Sequence, residues 1–127
     1  MTAVVLDSSA ILAVINNEAG SDAVVNLLDD ALLSAVNHAE VMGKLVERGL
    51  SRQEARSSVI RMGIQIVAFG ADLAERAGEL RAQTRNLGLS LGDRACLALA
   101  EREKRIAVTA DRKWQSVKAD IPVHLIR

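Results

Sequence analysis

Four acidic residues stand where a chain could gather them for chemistry: Asp7, Glu40, Asp93 and Asp111. Asp7 ends the apolar run "AVVLD", and Asp111 closes "AVTAD". Glu40 and Asp93 each fall in what reads as the first turn of a helix. Taken singly, each has an ordinary use: a carboxylate at a helix start accepts free backbone N–H groups and suits the helix dipole. Asn37 with Glu40, and Ser90 with Asp93, read as capping boxes. Taken together, four carboxylates in one cleft repel, and such a cluster persists only with protons or a divalent cation in it. All-oxygen acidic sites suit Mg²⁺ or Mn²⁺. Ser8, Ser9, Asn37 and Thr109 adjoin the acids and are candidates to orient them. Arg94, Arg112 and Lys113 lie beside the acids and are candidates to contact an anionic substrate at the rim. Other basic residues, such as Arg48, Arg52 and Arg56, read as a solvated helix face.

These acids can meet only if the elements that carry them bring them to one edge. Short apolar runs at 3–7, 31–36, 64–69, 105–110 and 121–127 read as strands. Helical patterns separate them, at 8–17, 20–30, 37–50, 51–63, 71–88 and about 90–104, with a short helix at 111–117. In the third of these Val41, Met42, Leu45 and Val46 share a face; in the fifth, Leu73, Ala77, Leu80 and Thr84 do. The stretch from Leu91 to Ala100 is apolar on nearly every side, which predicts a buried helix. Strands alternating with helices predict an α/β fold: one mainly parallel five-stranded sheet covered on both faces, three layers in all. The carboxyl edge of such a sheet collects strand ends and helix starts. Asp7, Glu40 and Asp111 fall there by construction, and Asp93 joins them if its helix runs alongside the sheet.

Composition narrows the field. The 127 residues are 50% hydrophobic with zero formal net charge, which fits one domain over 1–127 and gives no overall basic signature for nucleic acid. Phe69 and Trp114 are the only aromatics, so base stacking on an aromatic platform is not expected. Cys96 is the single cysteine and reads as a small core residue. Two histidines, His38 and His124, do not make a zinc site with it. No phosphate-binding glycine loop of the Walker type occurs, and "GLSLG" lacks the dinucleotide fingerprint. No apolar run is long enough to span a bilayer, and no basic region followed by an apolar core opens the sequence, so a cytoplasmic location is expected.

The segments "VVLDSSAILA", "SAVNHAEV", "LSLGDRACLALA" and "VTADRKW" resemble, in that order, the PIN-domain nucleases, and most closely the VapC-type toxins of bacterial toxin–antitoxin pairs. The resemblance implies a PIN-like three-layer sandwich and Mg²⁺- or Mn²⁺-dependent cleavage of RNA, usually by a homodimer. It implies Asp7, Glu40, Asp93 and Asp111 as the acidic set, and a small antitoxin that blocks the site. Many members carry a further acid near Asp111, where this chain has Arg112 and Lys113. Two other readings share parts of the pattern. A receiver-like signalling domain also has an acidic Mg²⁺ pocket, but needs a phosphoacceptor Asp after the third strand, where this chain has Phe69-Gly70 with Asp72 beyond. A PIN-fold binding module without turnover would have no need of the intact acidic set.

Overall fold

The apolar runs form the strands, each shorter than its run. The computed structural model describes residues 3–117 and 120–127. Its strands are β1 (Val4–Leu6), β2 (Leu32–Ser34), β3 (Gln65–Val67), β4 (Ile106–Thr109) and β5 (Val123–Leu125). They make one sheet in the order β3-β2-β1-β4-β5, with every neighbouring pair parallel.

Among the described residues, six helices cover the sheet. Between β1 and β2 lie α1 (Ser8–Ile15) and α2 (Ser21–Val25); between β2 and β3, α3 (Ala35–Glu47) and α4 (Arg52–Ile60). Between β3 and β4 lie α5 (Ala71–Thr84) and α6 (Leu91–Glu103), joined through a short 3₁₀ turn, and a second 3₁₀ turn, Arg112–Ser116, follows β4. Strand side chains alternate between faces. Val4, Leu6, Leu33 and Val108 pack with α1, α3 and α4, whereas Val5, Leu32 and Ala107 pack with α5 and α6. The result is the α/β three-layer sandwich that the alternation of elements predicts.

Several details differ from the sequence reading. The helix expected over 20–30 shortens to α2, and the helix expected at 111–117 is a 3₁₀ turn. Val46 leaves the apolar face of α3 and is 49% exposed. The buried face of α5 is the expected one, Leu73, Ala77, Leu80 and Thr84. Residues 94–100 of α6 are all buried, because this helix packs on α5, on α3 and on the sheet at once. Leu91, at its first position, is exposed.

Strand order settles where a site can form. β1 is central, its chain leaves toward β2 on one side, and β4 pairs on its other side. Such a reversal opens a crevice at the carboxyl ends of the two strands, here β1 and β4. In a receiver-like sheet the third strand sits beside the first. Here β3 is an edge strand, which removes the receiver reading. No helix among the described residues is long and apolar enough to cross a membrane.

Candidate active site

The crevice between β1 and β4 carries Asp7 directly after one strand and Asp111 just past the other. α3 starts from the same edge after β2 and brings Glu40 in its second turn. α6 ends at Glu103, three residues before β4 begins at the opposite edge, so its N-terminus points back to the carboxyl edge with Asp93 in its first turn. A hydrogen bond joins the two helix starts: Asn37 Nδ2 donates to the Gly92 carbonyl oxygen at 3.0 Å.

Asp7 is buried, 3% exposed. It occupies the cap position of α1 but its side chain makes no cap hydrogen bond. Instead Oδ2 accepts from Ser9 Oγ at 2.7 Å and Thr109 Oγ1 at 2.9 Å. Its Oδ1 is buried with no partner among the described residues. Burial pushes the Asp7 carboxyl up to about 6, against the pull of the Ser9 and Thr109 hydrogen bonds and with the negative charge of Asp93 and Glu40 adding to the rise.

Glu40 is not spent on capping either. Ser34 caps α3 by accepting from the Val36 backbone N–H, so the capping box expected of Asn37 and Glu40 does not form. The helix begins earlier than its polar residues suggest, because the serine at the end of β2 takes the cap. Asn37 is thereby placed inside the helix, fully buried, and its Nδ2 donates to Glu40 Oε1 at 3.0 Å as well as to Gly92. Ser8 Oγ donates to the same Oε1 at 2.8 Å.

Asp93 and Asp111 each divide their oxygens. Asp93 Oδ2 accepts from the Ser90 backbone N–H at 2.9 Å while Ser90 Oγ accepts from the Asp93 N–H, the capping box the sequence predicts. Burial raises the Asp93 carboxyl above its ordinary range, the Ser90 hydrogen bonds oppose this, and the charges of Asp111 and Glu40 reinforce it. Asp111 Oδ1 caps the 3₁₀ turn through the Lys113 N–H, with Lys113 Nζ 3.8 Å from Oδ2. Trp114, 1% exposed, anchors that turn against the core. Thr109 ties the two strand ends together, since its Oγ1 donates to Asp7 and accepts from the Asp111 N–H at 3.1 Å.

The four acids therefore share one edge, where the charges of neighbouring carboxylates help raise Asp7 and Asp93. Arg112 is exposed beside Asp111. Arg94 is not at the rim: it turns away from Asp93 into the contact with α5, where it donates to the Ala77 carbonyl oxygen. Sequence reasoning missed Gly92. A Cβ at this position would overlap both Glu40 carboxylate oxygens. A glycine inside an otherwise good helix pattern, one residue before an acid, was the available signal.

No three acidic, imidazole or thiol side chains among the described residues already ring a single point as a finished metal cage. The donor chemistry nevertheless fits a hard divalent cation. Every candidate ligand is a carboxylate oxygen, Asp7 Oδ1 is buried without a partner among the described residues, and two of the acids hold their protons above the ordinary range through burial and the crowding of negative charge.

The model of the PIN domain matches residues 4–120. The chain belongs to the PIN domain family. No curated protein sequence matches it significantly. Among solved structures, this PIN domain resembles VapBC from Salmonella typhimurium bound to DNA, with a TM-score of 0.76, 17% identity, and all of both chains covered. It resembles VapBC2 from Rickettsia felis, bound to a promoter DNA fragment, with a TM-score of 0.74 and 19% identity over 96% of this chain and 97% of the other. It also resembles VapC20 of Mycobacterium tuberculosis, described as a sarcin-ricin loop cleaving toxin, with a TM-score of 0.74 and 19% identity over 91% and 95% of the two chains. At these identities the likeness is one of fold, and it places this PIN domain among folds seen in toxin–antitoxin proteins.

Proposed function

We propose that this PIN domain is an endoribonuclease that hydrolyses RNA phosphodiester bonds with Mg²⁺ or Mn²⁺, and that it is the toxin of a VapBC-type pair. The observation that carries the reading is Asp7: a buried carboxylate with one oxygen free, facing the charges of Asp93 and Glu40 at the crevice between β1 and β4. A protein that needed these acids only for folding would gain by replacing them with neutral groups.

In this reading Asp7 and Asp93 hold the cation, and Glu40 and Asp111 complete the set. The cation supplies a lowered pKa for water and Lewis acidity toward a phosphate oxygen. Ser9 and Thr109 fix Asp7 by occupying Oδ2, which leaves Oδ1 without a partner among the described residues. Ser8 and Asn37 both bond Glu40 Oε1, so Oε2 remains available to orient a water or take its proton. Arg112, exposed next to Asp111, is placed to contact the RNA backbone. Asp93 can serve the site through Oδ1, because only Oδ2 is engaged in the helix cap.

The same reading makes the cytoplasm its place of action, a small antitoxin its partner, and a homodimer its working form. The VapBC neighbours support the antitoxin. The deciding assay incubates the purified chain with whole-cell RNA and Mg²⁺ or Mn²⁺, then maps new 5′-phosphate ends. Cleavage by the parent and its loss in the Asp7→Asn/Asp93→Asn double variant are expected. Equal cleavage by parent and double variant would sink the mechanism.

A further inference from the structure

Arg94 follows Asp93 in sequence, yet the helix step of about 100° turns it to the far side of α6, toward α5. It is only 9% exposed. One terminal nitrogen donates to the Ala77 carbonyl oxygen at 2.8 Å, while Nε is buried without an acceptor among the described residues. A guanidinium keeps its charge under all ordinary conditions, so a buried one without a counter-charge is costly. Arg94 lines a cleft of about 320 Å³ together with Arg81, Thr84, Arg85 and Ser90. No carboxylate lines this cleft, and among the described residues none of its three arginines is in an ion pair.

Three arginines lining one cleft, with no carboxylate among the residues of its wall, make a place for a doubly or singly charged oxyanion. We propose that this cleft is a phosphate-binding subsite, occupied by a backbone phosphate of the RNA away from the bond that is cut. The inference rests on the nuclease reading for the identity of the polyanion. The first turn of α6 presents Asp93 to the acidic crevice and Arg94 to the cleft, so a strand crossing that turn meets both. That continuity favours an RNA backbone over a free phosphate ion.

The test compares the parent with the Arg81→Gln/Arg85→Gln variant, whose two sites are exposed and outside the core. Binding of a labelled single-stranded RNA is measured in EDTA, which prevents cleavage, across a range of salt. In parallel, arginine side-chain N–H resonances are followed during titration with inorganic phosphate. The variant is expected to bind RNA about tenfold more weakly at low salt, with a salt slope shallower by about 0.7 for each RNA phosphate no longer neutralised. Phosphate is expected to move the Arg94 Nε–H resonance in the parent. Equal affinity and equal slope in the two proteins would overturn the subsite, as would a parent that binds no RNA. A phosphate response without any change in RNA binding would assign the cleft to a free ion and overturn the RNA assignment. Weakened RNA binding by the variant, in a chain whose parent cleaves nothing with Mg²⁺ or Mn²⁺, would keep the subsite and remove the nuclease reading.

Discussion

Gly92 backs directly onto the carboxylate of Glu40, so closely that a methyl group on its Cα would have to push that carboxylate aside. The Gly92 carbonyl oxygen is in turn held by Asn37, which also holds Glu40. Glycine, amide and acid thus form one unit between the starts of α3 and α6.

Gly92→Ala should reverse the usual helix rule. In an open helix position this change stabilises by about 1 kcal/mol. Here the methyl must push the Glu40 carboxylate off Ser8 and Asn37, which should make the change destabilising by about 1 kcal/mol, and RNA cleavage should fall at least tenfold as Glu40 is displaced. Denaturant melts and cleavage rates of Gly92→Ala, Glu40→Asp and the double variant check this. Shortening the acid should recover part of the stability that the added methyl removes, a non-additivity expected of residues in contact.

Asp7 should make the protein less stable as pH rises. Its carboxyl binds a proton more tightly in the folded protein, near 6, than in the unfolded chain, near 3.8. Stability therefore declines as pH climbs from about 4 to about 6 and levels off above, because the unfolded state gives up the proton first. Asp7→Asn removes this decline and should raise stability at pH 7 by about 1–3 kcal/mol while abolishing cleavage. Urea titrations at pH 4, 5, 6 and 7 measure it; a variant less stable than the parent at pH 7 contradicts it.

Divalent ions should raise the melting temperature of the parent at pH 7, with the increase growing as the logarithm of ion concentration. Asp7→Asn/Asp93→Asn should abolish the effect, since the two acids with raised proton affinity are those the ion neutralises. A matched titration with NaCl at equal ionic strength separates specific binding from screening.

Asn37→Ala should cost about 1–3 kcal/mol, because it removes the donor that ties the Gly92 carbonyl oxygen to Glu40 and leaves Glu40 Oε1 with Ser8 alone. Asn37→Asp should cost more, since it exchanges the donor for another negative charge beside Glu40. The order parent, Ala, Asp in melting temperature is the readout.

The amino-acid sequence by itself determined the elements and much of their packing. Apolar runs too short for helices became strands, and the 3.6-residue spacing of Leu73, Ala77, Leu80 and Thr84 fixed which side of α5 is buried. Ser90 with Asp93 announced a helix start, because a capping box is local chemistry within four residues. It also placed Asp7, Glu40 and Asp111 at one edge, since in a parallel sheet that edge follows from chain order alone. Which acids were spent on capping was not legible. Ser34 pre-empted Asn37 as the cap of α3, and Ser9 and Thr109, 100 residues apart, took one oxygen of Asp7. Nor was the direction of Arg94, or the need for glycine at position 92. Both depend on what α5 and α3 bring against α6, contacts of long sequence separation. Local spacing decides what a residue can do in its own turn; only the packing of distant turns decides which oxygens remain free.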